Sequence, residues 1–309
     1  MPPANFHHSA FADAGRLVDL KTGPISVCIP TLDEAPTIGA IVTIIRRELM
    51  EKVPLVDEIL VIDSGSADDT PVIAAEAGAT VHLSEEIAPG HGSHRGKGEN
   101  LWKALHVAQG DLICYVDGDI SNFDARFVTG LVGPLLTDGS FDYVKAHYER
   151  PLANGGDIHR TGGGRVSEIL IRPLLSLFYP GLTCIFQPLS GEYAARRGLL
   201  DLLPFPTGYG VEIAHLIDLA GMGKLGAIAQ VDLDQRIHRN RSDEELGRMS
   251  FAILRTILRR LERDGKISIH DPLPDLHRSW LFDQGGAHEI LTSIPEPERP
   301  TFRSLIAGR

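Results

Sequence analysis

Residues 112–119 read Leu-Ile-Cys-Tyr-Val-Asp-Gly-Asp. The apolar run Leu112–Val116 is too short for a helix of its own and suits a strand buried on both faces. It runs straight into Asp117-Gly118-Asp119. Taken alone, Asp-Gly-Asp is ordinary turn chemistry, because Asp and Gly both favour tight turns. Its place in a series gives it more weight.

Upstream, Ile25–Pro30 (ISVCIP) reads as a buried strand, and the spacing of Ile38–Leu49 (IGAIVTIIRREL) predicts a helix with its basic residues late. Ile59–Ile62 is a second strand, followed by the turn-rich Asp63-Ser64-Gly65-Ser66. A short helix over Pro71–Ala77, a strand over Thr80–Leu83 and a helix over Gly98–Gln109 complete the approach to Leu112. Strand and helix alternating over short links predict an α/β fold with right-handed crossovers and a mostly parallel central sheet. Ligands of such sheets bind beyond the carboxyl ends of the strands. Asp33-Glu34, Asp63-Ser64 and Asp117/Asp119 should therefore face one crevice.

Carboxylates gathered there suit a hard divalent cation, which takes oxygen ligands and leaves positions open for phosphates. Two aspartates two apart can divide the work, one on metal and one on ribose or sugar. Carboxylates at the first two strand ends could accept from a base edge and ribose hydroxyls. Helix N-capping by Asp33 and Asp68 is the plainer reading of those two.

The character of the chain changes near Arg150. Asn154–Gly164 holds five glycines and leads to Arg165 at a helix start over Val166–Phe178. Backbone N–H groups and a guanidinium together make an anion site, and a loop of this length can close over substrate. Arg236, His238, Arg239 and Arg241 form a basic cluster in which an imidazole suits a metal completed by carboxylate and phosphate oxygens. Leu246, Met249, Ile253, Ile257 and Leu261 recur at helical steps, with Ser242 and Glu245 as a capping box and Asp264-Gly265 as a stop. The expected division is 1–150 for nucleotide binding, 151–266 for the acceptor and 267–309 as an irregular tail.

Composition narrows the class. The net charge is −11, from 30 Lys+Arg against 41 Asp+Glu, which disfavours a nucleic-acid partner but leaves room for local basic pockets. No run of 18 apolar residues occurs, so no membrane span is expected. Cys28 and Cys114 lie in apolar runs where reduced buried thiols are expected, pointing to the cytoplasm. The first residues lack the pattern of a signal peptide.

The series PTLDE (30–34), DSGSADDT (63–70), GKGE (96–99) and DGD (117–119) resembles the GT-A nucleotide-sugar glycosyltransferases. GGGRVSE (162–168), QPLSGEY (187–193), GYGVEI (208–213) and HRNR (238–241) are similar to the glucosyl-3-phosphoglycerate synthase family, which also holds mannosyl-3-phosphoglycerate synthases. The likeness runs from about His7 to Leu261. It implies a GT-A, Rossmann-like fold with a helical C-terminal acceptor region, and a metal-dependent hexosyltransferase. The reaction implied is transfer of glucose from an NDP-glucose to the 2-hydroxyl of 3-phosphoglycerate with retention, or of mannose from GDP-mannose.

Residue by residue, the resemblance implies donor contacts from Pro30, Leu32, Glu34, Ser64, Lys97, Asp117, Leu189 and Arg236. It implies 3-phosphoglycerate contacts from Gly164, Arg165, Val166 and Ser167. Asp119 and His238 would hold Mg²⁺ or Mn²⁺, and Asp119, Glu212 and Arg236 would act at the reacting centre, Glu212 holding sugar hydroxyls. A homodimer is the family-level expectation. A sugar nucleotidyltransferase is the more distant alternative, disfavoured because PTLDE is not a Gly-rich, Arg-containing loop. A dinucleotide dehydrogenase is disfavoured because Gly90, Gly92 and Gly96 have the wrong spacing.

Overall fold

The computed structural model describes residues 3–150, 152–154, 157–159, 164–237, 242–283 and 285–307. An edge strand β1 (Ala4–His7) and helix α1 (Ala14–Asp19) come first. The alternating series follows: β2 (Ile25–Thr31), α2 (Ala35–Arg46), β3 (Glu58–Asp63), α3 (Thr70–Ala77), β4 (Thr80–Leu83), α4 (Lys97–Val107), β5 (Leu112–Tyr115), α5 (Arg126–Thr137) and β6 (Tyr143–Glu149). Strands β7 (Leu152–Asn154) and β8 (Asp157–His159) precede α6 (Arg172–Phe178), β9 (Tyr193–Arg196), α7 (Arg197–Leu200) and β10 (Phe205–Pro206). After these come α8 (Val211–Gly221), β11 (Ile228–Gln235) and α9 (Asp243–Arg263). The C-terminal region adds β12 (Leu276–Asp283), β13 (Gly286–Ser293), β14 (Glu298–Arg299) and α10 (Phe302–Ala307).

Eight strands form one sheet in the order β1-β11-β6-β9-β5-β2-β3-β4, parallel throughout except for β9. From β2 the chain steps outward to β3 and β4, then returns to the other side of β2 as β5. That reversal opens a crevice at the carboxyl ends of β2 and β5, the usual ligand position in such sheets. Thr31–Glu34 and Val116–Asp119 leave the sheet at this point. Helices cover both faces. On one side Ile38, Ile41, Val42 and Ile45 of α2 pack with Phe127, Leu131 and Leu135 of α5. On the other, Leu101 and Leu105 of α4 pack with α8 and with Ile253, Ile257 and Leu261 of α9. Each such aliphatic side chain, once buried, contributes about 1.5–3 kcal/mol.

The expected capping box is present: Ser242 Oγ accepts from Glu245 N at 3.2 Å, and Glu245 accepts from Ser242 N at 2.8 Å. The helix expected over Val166–Phe178 is divided. A π-turn spans Ser167–Ile171, with Arg172 N–H reaching back to Ser167 O, before α6. Pro173 lacks the N–H that would continue the regular ladder, which accounts for the wider turn. At the far edge, His7 and His8 bond the two oxygens of Asp234 at 3.0 and 2.7 Å and pin β1 to β11.

The tail corrects the expectation of irregular chain. β12 and β13 form an antiparallel hairpin, and β14 pairs with β10. Pro-rich flanks hid the alternation. The hairpin's inner face meets α9, where the His277 and Phe251 rings pack at a tilt with centroids 5.2 Å apart. Its other face leaves Leu276, Trp280, Phe282 and Leu291 exposed.

Candidate active site

One cavity of about 410 Å³ occupies the crevice. It brings together Pro30, Leu32, Glu34, Ser64, Lys97, Asp117 and Asp119 from the first half of the chain, with Gly164, Arg165, Val166, Ser167, Leu189, Glu212 and Arg236 from the second. These are all the expected site residues but one. His238 lies outside the described residues, as do Gly162, Gly163, Arg239, Asn240 and Arg241.

The outer wall is built by the loops after β2 and β3, which cap each other. Asp63 accepts from Gly65 N and Ser66 N at 2.9 and 2.8 Å and from Thr31 Oγ1 at 2.9 Å. Asp68 accepts from Ala35 N in the first turn of α2 at 3.1 Å, while Asp33 accepts from Ala67 N at 2.7 Å. Helix capping thus holds for Asp68, which also accepts from Thr70 N at the start of α3 at 3.0 Å, whereas Asp33 caps no helix and ties down the loop at Ala67 instead. Asp33 has φ +58, a left-handed conformation that turns the chain toward the cavity. Ser64 Oγ is fixed by Asn100 at 3.0 Å.

At the floor, Arg236 is almost fully buried, and its Nη2 donates to Asp117 Oδ2 at 2.9 Å and Asp119 Oδ1 at 2.6 Å. Its Nε donates to the buried Glu192 at 2.8 Å. Burial opposes the guanidinium's charge, yet Glu192, Tyr148, Asp119 and Asp117 together hold its pKa well above the ordinary value. Burial raises the pKa of Glu192, against the pull of Arg236. Lys97, in the first turn of α4, pairs with Asp117 at 2.5 Å and Glu212 at 3.0 Å. Burial works against this ammonium too, but Asp117, Glu212 and Glu192 keep it firmly protonated. Behind the pair, fully buried Lys145 donates to Ser190 O at 2.7 Å, and burial brings its pKa down to about 8.

The floor thus carries four carboxylates, Asp117, Asp119, Glu192 and Glu212, interleaved with Lys97 and Arg236. The rim is basic: Arg95, Arg150 and Arg165 line the same cavity. Arg165 pairs with Asp243 at the start of α9 and stands beside Gly164, whose φ is +85. Such a site can hold a cation and polyhydroxylated sugar below and a phosphate above.

Sequence reasoning missed several groups. Arg95 carried no pattern, Tyr209 stood in the quoted GYGVEI without a role assigned to it, and Glu192 and Lys145 sit at or in strands, where a buried charge is not expected. Glu192 does fall inside a quoted motif, QPLSGEY, and that was its only signal.

Residues 26–183 match glycosyl transferase family 2. A curated glucosyl-3-phosphoglycerate synthase of Petrotoga mobilis is 50% identical over 304 residues, covering 97% of this chain and 94% of its own. One from Mycobacterium tuberculosis is 47% identical over 250 residues, covering 80% and 76%. The fold superposes on the crystal structure of the M. tuberculosis glucosyl-3-phosphoglycerate synthase in complex with Mn²⁺, UDP-glucose and phosphoglyceric acid. The TM-score is 0.85 at 39% identity, covering 99% of each chain. It also superposes on the mannosyl-3-phosphoglycerate synthase of Rubrobacter xylanophilus, with TM-score 0.89, 35% identity and coverage of 98% and 97%. The sugar nucleotidyltransferase alternative falls with these findings, and the GT-A fold is shown. The chain is a glycosyltransferase that belongs to glycosyl transferase family 2 and, within it, to the glucosyl-3-phosphoglycerate synthase family.

Proposed function

We propose that this enzyme transfers glucose from UDP-glucose to the 2-hydroxyl of 3-phosphoglycerate, with retention at the anomeric carbon. The observation that carries this reading is the division of one cavity into an acidic floor around Asp117 and Asp119 and an arginine rim around Arg165. The relatives named above point to the same substrates.

The carboxylates of the floor fit a divalent metal, because hard oxygen donors outnumber the cations Lys97 and Arg236 that touch them. Asp119 would hold Mg²⁺ or Mn²⁺, with His238 as the resemblance implies. Bound there, the metal supplies positive charge for the departing diphosphate. Pro30, Leu32, Glu34 and Ser64 line the wall suited to base and ribose, and Asp117 faces ribose or sugar. Lys97 and Arg236 add fixed positive charge under the leaving group, where negative charge develops. Leu189 and Glu212 border the sugar. Glu212 is ion-paired to Lys97, which lowers its nucleophilicity and suits it to holding hydroxyls. Gly164, Arg165, Val166 and Ser167 would orient the acceptor phosphate, so that proximity does much of the work.

A homodimer belongs to the same proposal. The exposed apolar face of the β12–β13 hairpin, with Leu276, Trp280, Phe282 and Leu291, supports it. Buried, unpaired Cys28 and Cys114 accord with a reducing cytoplasm, and among the described residues no helix is long and apolar enough to cross a membrane.

The test is nucleotide release with Mn²⁺ and UDP-glucose, GDP-glucose, UDP-mannose or GDP-mannose, each with and without 3-phosphoglycerate. Acceptor-dependent release, greatest with UDP-glucose and giving an α-linked product by NMR, is the expected result. Release without acceptor, or preference for GDP-mannose, would overturn it.

A further inference from the structure

We infer that Glu296 is a positioning residue for the donor half of the site, and that residues 294–300 form a strap locking Lys97 and Glu212 into register. Glu296 is buried and adopts φ +46, uncommon for a residue with a side chain. That conformation turns its carboxylate inward onto the loop between β10 and α8. It accepts from Gly210 N at 3.0 Å, and the carboxylate packs against Gly208. A Cβ on Gly208 would overlap the same carboxylate, so this loop has no room for a side chain there.

The clamped loop is shared by the two catalytic-site helices. On one side it leads directly into α8, placing Tyr209 and Glu212 on the cavity wall. On the other, its carbonyls cap α4: Gly98 N donates to Gly208 O at 3.2 Å and Glu99 N to Thr207 O at 2.8 Å. Gly96, at the N-cap, has no side chain to cap α4, so these carbonyls satisfy N–H groups of its first turn. Lys97 is the first residue of that helix, and its ammonium meets Glu212 at 3.0 Å. The position of each partner in the Lys97–Glu212 pair thus depends on residues 207–210, and those depend on Glu296.

The rest of the strap is fastened at both ends. Thr207 N and Oγ1 donate to Pro297 O at 2.9 and 3.1 Å, and Arg260 pairs with Glu298 at 2.6 Å. Arg299 makes a two-pronged pair with buried Glu99 of α4, at 2.7 and 2.6 Å, and lies over the Trp102 ring. Trp102 Nε1 donates to Pro300 O at 3.1 Å. Such a buried bidentate pair is rigid. The C-terminal segment therefore braces α4 from the side while Glu296 braces its start.

This inference rests on the donor site proposed above, so the test reads structure and turnover separately. In the full chain, Glu296→Ala and Glu296→Gln are compared with wild type by hydrogen exchange at the amides of Gly98, Glu99 and Gly210, and by steady-state kinetics. The Ala variant should exchange faster at those amides and raise the KM for UDP-glucose, lower kcat, or both, by about tenfold, leaving the KM for 3-phosphoglycerate unchanged. Gln keeps one acceptor oxygen and should recover part of the loss. Unchanged exchange would overturn the clamp. Faster exchange with unaltered kinetics, or equal effects on donor and acceptor KM, would leave Glu296 a packing residue and overturn the positioning role. Inactivity of wild type towards every NDP-hexose would instead sink the proposed reaction, and the exchange result would still decide the clamp.

Discussion

Arg236 Nη2 lies 2.6 Å from Asp119 Oδ1 although the two residues are 117 positions apart in the chain. The same nitrogen reaches Asp117, and the opposite side of the guanidinium is engaged by buried Glu192. One cation therefore holds three carboxylates in a fixed array at the carboxyl end of the sheet. Replacing Arg236 with Met leaves Glu192 buried without its counter-charge, and losing one partner of a buried pair costs about 3–5 kcal/mol. Chemical denaturation should show a loss of that order, and a change below about 0.5 kcal/mol would contradict the array's role in stability.

Asp119→Ala should abolish nearly all transfer at saturating Mn²⁺ or Mg²⁺ while leaving the base and ribose wall intact. The loss expected on removing a principal electrostatic group is about 10²-fold or more in kcat. Competition by UDP in the absence of metal should survive the substitution. Wild-type turnover by the variant would remove Asp119 from the metal site.

Arg165→Ala should raise the KM for 3-phosphoglycerate by about tenfold or more, as expected when a charge-assisted contact to phosphate is lost. The KM for UDP-glucose should stay within about twofold. A raised donor KM with an unchanged acceptor KM would mean the rim binds the nucleotide rather than the acceptor.

Gly191→Ala separates chemistry from folding. A Cβ at this position would overlap both Lys97 Nζ and Asp117 Oδ2, the far ends of side chains that can move aside. Moving them breaks the pair between them. A loss of about 10²-fold in kcat/KM is expected with a small change in Tm, measured on the same preparation.

His215 is fully buried, and burial lowers its pKa to about 3. In the unfolded chain it takes up a proton near its ordinary pKa, while the native state refuses one until about pH 3. The unfolded state binds more protons across that window, so stability falls as pH drops from about 6.5 towards 3. Between about pH 6.5 and 4, wild type should lose roughly 3 kcal/mol more than a His215→Gln variant. Parallel stability curves for the two proteins would contradict this account.

Most of the first half was legible because each element there answers to a local rule. Unbroken apolar runs such as Leu112–Val116 have few folds open to them, and short links enforce parallel order. The hairpin β12–β13 was missed because its strands alternate only weakly, and prolines on both sides imitate a loop. Glu192, just before β9, and Lys145, within β6, were missed because a buried charge is stable only when a distant partner neutralises it.

Residue order alone settled the parallel sheet, the acidic strand ends and the family of the catalyst, since these follow from patterns a few residues long. The three-way grip of Arg236 and the clamp of Glu296 on Gly210 join positions 44 to 119 residues apart. Only tertiary folding decides such contacts, because a buried charge selects its partner by proximity in space and desolvation, and neither is written in the local sequence.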